Sequence, residues 1–426
     1  MLDAGAVATG PAQLDPDGND DPEDPGTGTV PARGHFEKVG TPPLALTRIC
    51  DLTPFDGALY MAHAHQPLGI DGATITRYRP NDDKKPFSIA FDWNRPGEPV
   101  KGGGAGQGFV RIRTIGGRMY VPDADPPYGG LGLADWGTEG YVFVSDDKGV
   151  FLPPRAPHYR PPASVAVLPR AYHVIDVIRF RGTLYASTGS VPPTERAWHG
   201  ASPGALHRGP SFEGSNAVDA GGVRWTYETD YPYPWGDGVW RLTFMVRFKD
   251  RLYAGIQDFD GRDPNDFVYF APTKGDAGAT VIKHEDAHPV RVTKTGGSGT
   301  LRWWVDTKAS PAKLYWLAWT REGIVLRSTT DGDDWSVVPL PPEAGRPTDV
   351  TRFRDAVVVL AEKGLYKLGS DGTATRIAEV EETGTKKKST IFTVGDFFCT
   401  APLAVLDNVL YAGSQKGGTL YKLVED

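Results

Sequence analysis

The residues of this chain best suited to chemistry fall into three groups. Seven short apolar stretches each open on polar residues, and three of them read Arg or His, two residues, then Asp: Arg48 with Asp51, His173 with Asp176, Arg346 with Asp349. Arg241 holds the same place as the first members in a fourth stretch. Cations at one level over carboxylates three residues deeper could hold an anionic ligand such as a carboxylated sugar, because a guanidinium grips a carboxylate through two hydrogen bonds. The same groups could instead neutralise one another. A second group is aromatic. Tyr233, Trp235 and Trp136, with Tyr231, Trp240, Trp198 and Trp319, stand beside Asp230, Asp237 and Asp135. Flat apolar rings next to acceptors suit sugar rings, and they also suit ordinary packing. The third group is His63 and His65, which alternate onto one side of a strand, with Asp123 and Asp125 at the corresponding place about sixty residues later. Imidazole and carboxylate together could share a divalent metal, the one cofactor the chain suggests.

What positions these residues is a repeat. VIRFRGTLYAS (177–187) and MVRFKDRLYAG (245–255) carry one phrase, an apolar strand, a tight turn and then Leu-Tyr-Ala. The phrase returns around Leu59-Tyr60, Met119-Tyr120, Leu314-Tyr315, Val358-Val359 and Leu410-Tyr411. A third and a fourth strand follow it, as in GATITRY and PFSIAFDW, or GIVLRSTTDG and WSVVPL. Units of this length made of short strands predict an all-β, seven-bladed β-propeller of four-stranded antiparallel blades. The 52 glycines and 37 prolines suit a chain that turns every few residues. The seventh repeat ends after its third strand, so HFEKVG (35–40) is expected to complete the last blade and close the ring, which removes an exposed edge. Residues 34–426 are therefore read as one domain. Cys50 and Cys399 both stand just ahead of innermost strands, in blades that closure makes neighbours. A disulfide there and a pair of buried thiols are both open readings.

Charge is uneven. Residues 1–33 hold seven acids against one base, Arg33, for a local net of -6; since the whole chain carries -7, the rest is near neutral at -1. A near-neutral body offers no electrostatic reason to bind nucleic acid. The Pro/Gly-rich acidic stretch is poor in apolar residues and is expected to be a disordered tail. Its spacing of Asp15, Asp17, Asn19 and Asp21 does not match a calcium loop, whose glycine and bidentate Glu are out of place. Nothing resembling a signal peptide opens the chain, and no run of 18 apolar residues exists to span a membrane. The tail resembles the spacer that follows the anchoring cysteine of bacterial surface lipoproteins. That resemblance implies an extracytoplasmic, secreted or surface protein, with any lipid anchor outside the sequence.

Two turns resemble the Asp box of the sialidase and BNR-repeat propellers. SDDKG supplies Ser145, Asp147 and Gly149, with Leu152 where the family has Trp; STTDGDDW supplies Ser328, Gly332 and Trp335, with Thr330 where it has Asp. Such boxes stabilise turns, so the resemblance implies fold rather than sialidase chemistry. No nucleophile elbow, zinc helix motif, phosphate loop or dinucleotide fingerprint is present. Because strands alternate in direction, the connections after second strands and those between blades emerge on one face. That face collects the long, chemically rich segments, such as 62–72, 122–140, 187–203 and 227–240. The expected function is non-catalytic binding of a glycan or protein partner there. The alternatives are a glycan-cleaving hydrolase or lyase that uses the Arg and Asp residues, and a structural subunit of a larger assembly.

Overall fold

A computed structural model describes residues 24–43, 48–64, 73–92, 108–124, 139–151, 165–190, 204–211, 225–231, 240–258, 263–273, 280–380, 391–395 and 398–426. The fold is an all-β propeller of four-stranded antiparallel blades. Five separate sheets follow one another along the chain, over 51–92, 113–169, 171–231, 240–290 and 299–337, each with its strands paired in chain order. The remainder forms one eight-stranded sheet. One half runs from Pro347–Phe353 out to Ala374–Glu379; the other runs from Leu403–Leu406 through Val409–Gly413 and Leu420–Glu425 to Gly34–Gly40. The backbone ladder joins the halves where Gly34 and His35 pair in parallel with Ala378 and Glu379. Gly34–Gly40 pairs antiparallel along Leu420–Glu425, as expected for the strand that follows the last repeat. The opening strands lie side by side from Asp51–Phe55 round to Leu403–Leu406, which returns to Asp51–Phe55.

The recurring Leu-Tyr phrase is the second strand of its sheet, and its burial explains its composition. Ala58–His63 and Ala356–Ala361 are buried at every position. A strand covered on both faces by its neighbours reads as a continuous apolar run instead of alternating. The hairpins leading into it are tight. Asp56-Gly57, Arg181-Gly182, Gly116-Gly117 and Asp407-Asn408 each place two successive residues at positive φ, the signature of a two-residue type I′ turn. The tyrosine of the phrase has a job beyond filling space. Tyr60 lies against Gly149 in the next sheet, and Tyr253 against Gly332 in the next, so closely that a Cβ on either glycine would collide with the phenol oxygen. Both glycines also sit at positive φ, 72° and 92°.

Those glycines belong to the turns that resemble Asp boxes, and the residues holding the turns differ from the expected ones by one position. Asp146, not Asp147, accepts the amides of Lys148 and Val150, at 2.9 and 2.8 Å. Thr329 and Asp331, not Ser328 and Thr330, hold the second turn: Thr329 Oγ1 accepts the amide of Gly332, and Asp331 accepts those of Asp333 and Asp334. Two outer strands are short. The fourth strand of the fourth sheet is Ala287–Val290, after a 3-10 turn at His284–Asp286; that of the fifth, expected across WSVVPL, is only Ser336–Val337.

A further correction concerns the acidic tail. Residues 24–33 are not a free tether but lie along the hairpin turns of the eight-stranded sheet. The amide of Thr27 donates to Asn408, that of Val30 to Asp355, and that of Arg354 to the Pro25 carbonyl, while Arg354 Nη1 donates to the Thr29 carbonyl. Val30 joins the apolar cluster of Phe353, Ala356, Leu403 and Val405. One buried valine and a few backbone anchors outweigh a composition that otherwise favours disorder. A chain starting at residue 34 is expected to be less stable than one starting at residue 24 by about 2 kcal/mol, seen as a lower denaturant midpoint at unchanged slope. Gly332→Ala is expected to cost at least as much, because the substitution meets both strain and the Tyr253 hydroxyl; urea unfolding compares it with the wild type.

Candidate functional site

The opening strands surround a channel, and its charged lining is built by irregularities in those strands. Pairing shifts register between Val174 and Asp176, between Thr300 and Arg302, and between Pro347 and Asp349. A bulge adds a residue and re-aims the side chain after it, so Asp176, Arg302 and Asp349 all follow such a shift. Asp51, Asp176 and Asp349 are all buried. Each accepts the amide of the neighbouring opening strand at 2.8 Å: Asp51 from Ile112, Asp176 from Met245, Asp349 from Leu403.

Three arginines, none of them among the expected site residues, answer these carboxylates. Arg113 grips Asp176 with two bonds of 2.8 and 2.7 Å and donates to the Met245 carbonyl. Arg302 crosses from the fifth sheet to Asp51 at 2.8 Å and to the Cys50 carbonyl at 2.6 Å, with its Nε 3.4 Å from Thr400 Oγ1 and 4.0 Å from Asp349. Arg111 reaches Asp51 only at 3.4 Å. Burial alone would raise the Asp51 carboxyl, but Arg111, Arg302 and the Ile112 amide hold it below the usual range. At Asp349 burial wins and the carboxyl is raised. Burial and the neighbouring Arg113 weaken the hold of Arg111 on its proton. The sequence did carry a signal for one pair: Arg111-Ile112-Arg113 has the period of a strand that shows both cations on one side.

The level of Arg48, His173, Arg241 and Arg346 does not form a second ring. Arg346 sits at the rim, bound to Glu362 and Thr393. His173 is buried, with Nδ1 3.0 Å from the Ala124 carbonyl and Nε2 accepting from Arg241 at 2.7 Å. Arg241 also lies over the ring of Phe398. Arg48 offers its carbonyl to His63. On the loop side of the charged layer, Cys50, Val110, Ile175, Phe244 and Cys399 belong to one apolar cluster, with Phe398 packed on it. Cys50 and Cys399 form a disulfide with Cα atoms 4.6 Å apart, spanning 349 residues of sequence.

Of the four metal candidates, His63 and Asp123 fall among the described residues. His63 is a core residue: Nδ1 donates to the Arg48 carbonyl and Nε2 meets Thr76 Oγ1, both at 2.7 Å, so neither nitrogen faces outward to a ligand. Asp123 is buried in the second sheet, while His65 and Asp125 lie outside the described residues. No cluster of three or more His, Cys, Asp or Glu that could hold a metal occurs among the described residues. Tyr233, Trp235 and Trp136 also lie outside them. Of the other aromatic candidates, Tyr231 packs in a core cluster and Trp319 against another.

No family model and no curated protein sequence matches the chain. Solved structures do resemble it. A catalytically inactive virginiamycin B lyase from Staphylococcus aureus, solved with quinupristin, matches with a TM-score of 0.51 at 10% identity, over 92% of this chain and 100% of that one. An alpha-L-arabinanase from Penicillium chrysogenum in complex with arabinobiose matches with a TM-score of 0.40 at 10% identity, over 93% and 99%. The first likeness shows the propeller fold and nothing about activity; the second adds nothing to it.

Two buried histidines generate a pH dependence. Burial pushes both His63 and His207 down to about 4 from 6.5. The unfolded chain takes up these protons below pH 6.5 and the folded one only near 4, so the stability they contribute is complete above pH 6.5 and falls as pH drops towards 4. Each site accounts for roughly 3 kcal/mol across that window. Unfolding midpoints measured from pH 7.5 to 4.5 should fall for the wild type and fall less steeply for His207→Gln.

Proposed function

We propose that this chain is an exported, seven-bladed propeller that holds a glycan or a protein partner on its loop-rich face without turning it over. The blade count follows if the eight-stranded sheet is two blades of four, joined through the two-residue bridge at Gly34 and His35. Seven opening strands in mutual contact support that division. The disulfide fits an oxidising compartment.

The observation that carries the non-catalytic reading is the engagement of Asp51, Asp176 and Asp349. Glycoside cleavage needs one carboxylate free to give a proton and a second free to attack or to activate water. Each of these three is spent on a neighbouring strand's amide, and Asp176 is also spent on a bidentate guanidinium. Cys50 and Ile175, the residues just ahead of Asp51 and Asp176, belong to an apolar cluster. Recognition on that face therefore falls to the long connections, where Trp136, Tyr233 and Trp235 offer stacking surfaces.

A panel of immobilised oligosaccharides tests this. Retention of the wild type on at least one glycan, weakened about tenfold or more by Trp235→Ala at unchanged melting temperature, is the expected result. Release of a cleaved product by the wild type would overturn it in favour of an enzyme. Assembly with itself or a partner, with no glycan retained, would leave the structural-subunit reading.

A further inference from the structure

The lower half of the channel is not filled. A cavity of about 390 Å³ runs from the charged layer down to the hairpin turns, on the face opposite the long connections. Asp51, Arg111, Arg302 and Asp349 line its inner end; Asp56 and Asp407, from two turns, and Asp24, from the N-terminal segment, line its outer end. Thr53 and Thr351, each two residues beyond a channel Asp, and Trp304 line the middle. The volume lies in the range of small-molecule sites, and the walls mix hydroxyl, aromatic and charged groups.

One member of the inner layer is under-used. Arg113 and Arg302 spend their donors on carboxylates and carbonyls at 2.6 to 2.8 Å. The sole hydrogen bond of Arg111 among the described residues is the 3.4 Å contact to Asp51, whose two oxygens are already taken at 2.8 Å by Arg302 and Ile112. Its Nε is buried without a hydrogen-bond partner, and its side chain keeps only 16% exposure. A guanidinium so placed lacks the acceptors that normally offset its burial, and a carboxylate entering the cavity would supply them.

The outer end sets a second requirement. Asp24, Asp56 and Asp407 surround it with exposed carboxylates, which oppose a simple anion and favour a cationic group. We propose that this cavity binds a short extended peptide, its C-terminal carboxylate on Arg111 and its N-terminal ammonium towards the acidic rim. The five-residue strand Asp51–Phe55 sets the two ends too far apart for a single amino acid. Trp304 and the two threonines then face the remainder of the ligand. The site is separate from the loop-rich face and does not depend on what that face binds.

Thermal shift and titration calorimetry on the full chain test the assignment, with tri- to pentapeptides, their C-terminal amides, and the matching peptides lacking the N-terminal amine as probes at about 10 mM. At least one such peptide is expected to raise the midpoint saturably, with both its amide and its des-amino acid at least about tenfold weaker. Arg111→Gln should abolish the shift. Asp407→Asn, an exposed change at a positive-φ position that Asn tolerates, should weaken the zwitterion several-fold while leaving the des-amino acid unaffected or improved. Absence of a shift for every probe with the wild type would overturn the proposal, as would undiminished binding by Arg111→Gln or equal binding of the amide.

Discussion

Two arginines hold this propeller at its centre. The opening strands of neighbouring blades diverge too far to share a backbone ladder, so something else must fix their spacing. Arg113 joins the second, third and fourth sheets through Asp176 and the Met245 carbonyl; Arg302 joins the fifth sheet to Asp51 and the Cys50 carbonyl in the first. The carboxylates they bind take the remaining amides of adjacent strands. A buried charge costs several kcal/mol unless its partners are supplied, and Arg113 and Arg302 meet carboxylates and carbonyls at 2.6 to 2.8 Å. The network thus specifies which strands face one another, and losing one member would strand the opposite charge.

A ring made from one chain has a single seam, and this one is fastened at several depths. Gly34–Gly40 pairs along Leu420–Glu425 at the outer edge. The disulfide crosses near the loop-rich face, closing a loop of most of the chain, worth on the order of 4 to 5 kcal/mol in the chain-entropy account. Residues 24–33 run over the opposite face, tied to Arg354, Asp355 and Asn408. Opening the seam requires all three to yield together.

The sequence disclosed what repeats and concealed what does not. Leu59-Tyr60 and its relatives announce a strand buried on both sides, because burial on both faces dictates composition. The partner of the last repeat, His35–Gly40, was legible for the same reason: a missing edge must be covered. Channel geometry was not. Counting back from the Leu-Tyr phrase placed Arg48, His173, Arg241 and Arg346 on one level, but bulges before Asp176, Arg302 and Asp349 insert a residue and break the count. The three aspartates came together and the four cations did not. Arg302 carries no local signal in the sequence, because its carboxylate partner, Asp51, lies 251 residues away. Residues 24–33 were hidden by composition, since the order there rests on Val30 and backbone bonds that any sequence could make.

The channel's two ends differ for a reason rooted in connectivity. Long connections can fold back over the axis, and the segment ahead of the last opening strand does so: Phe398 reaches Phe244 and Arg241, and Cys399 is bonded to Cys50. Type I′ hairpins have no residues to spare for such a cover. They turn back within two residues and leave the axis open beneath them. Among the described residues, apolar groups therefore lie on the loop side of the charged layer, while a cavity leads to that layer past Asp56 and Asp407. The same short turns that fix strand register thus decide which face exposes the arginines and aspartates of the interior.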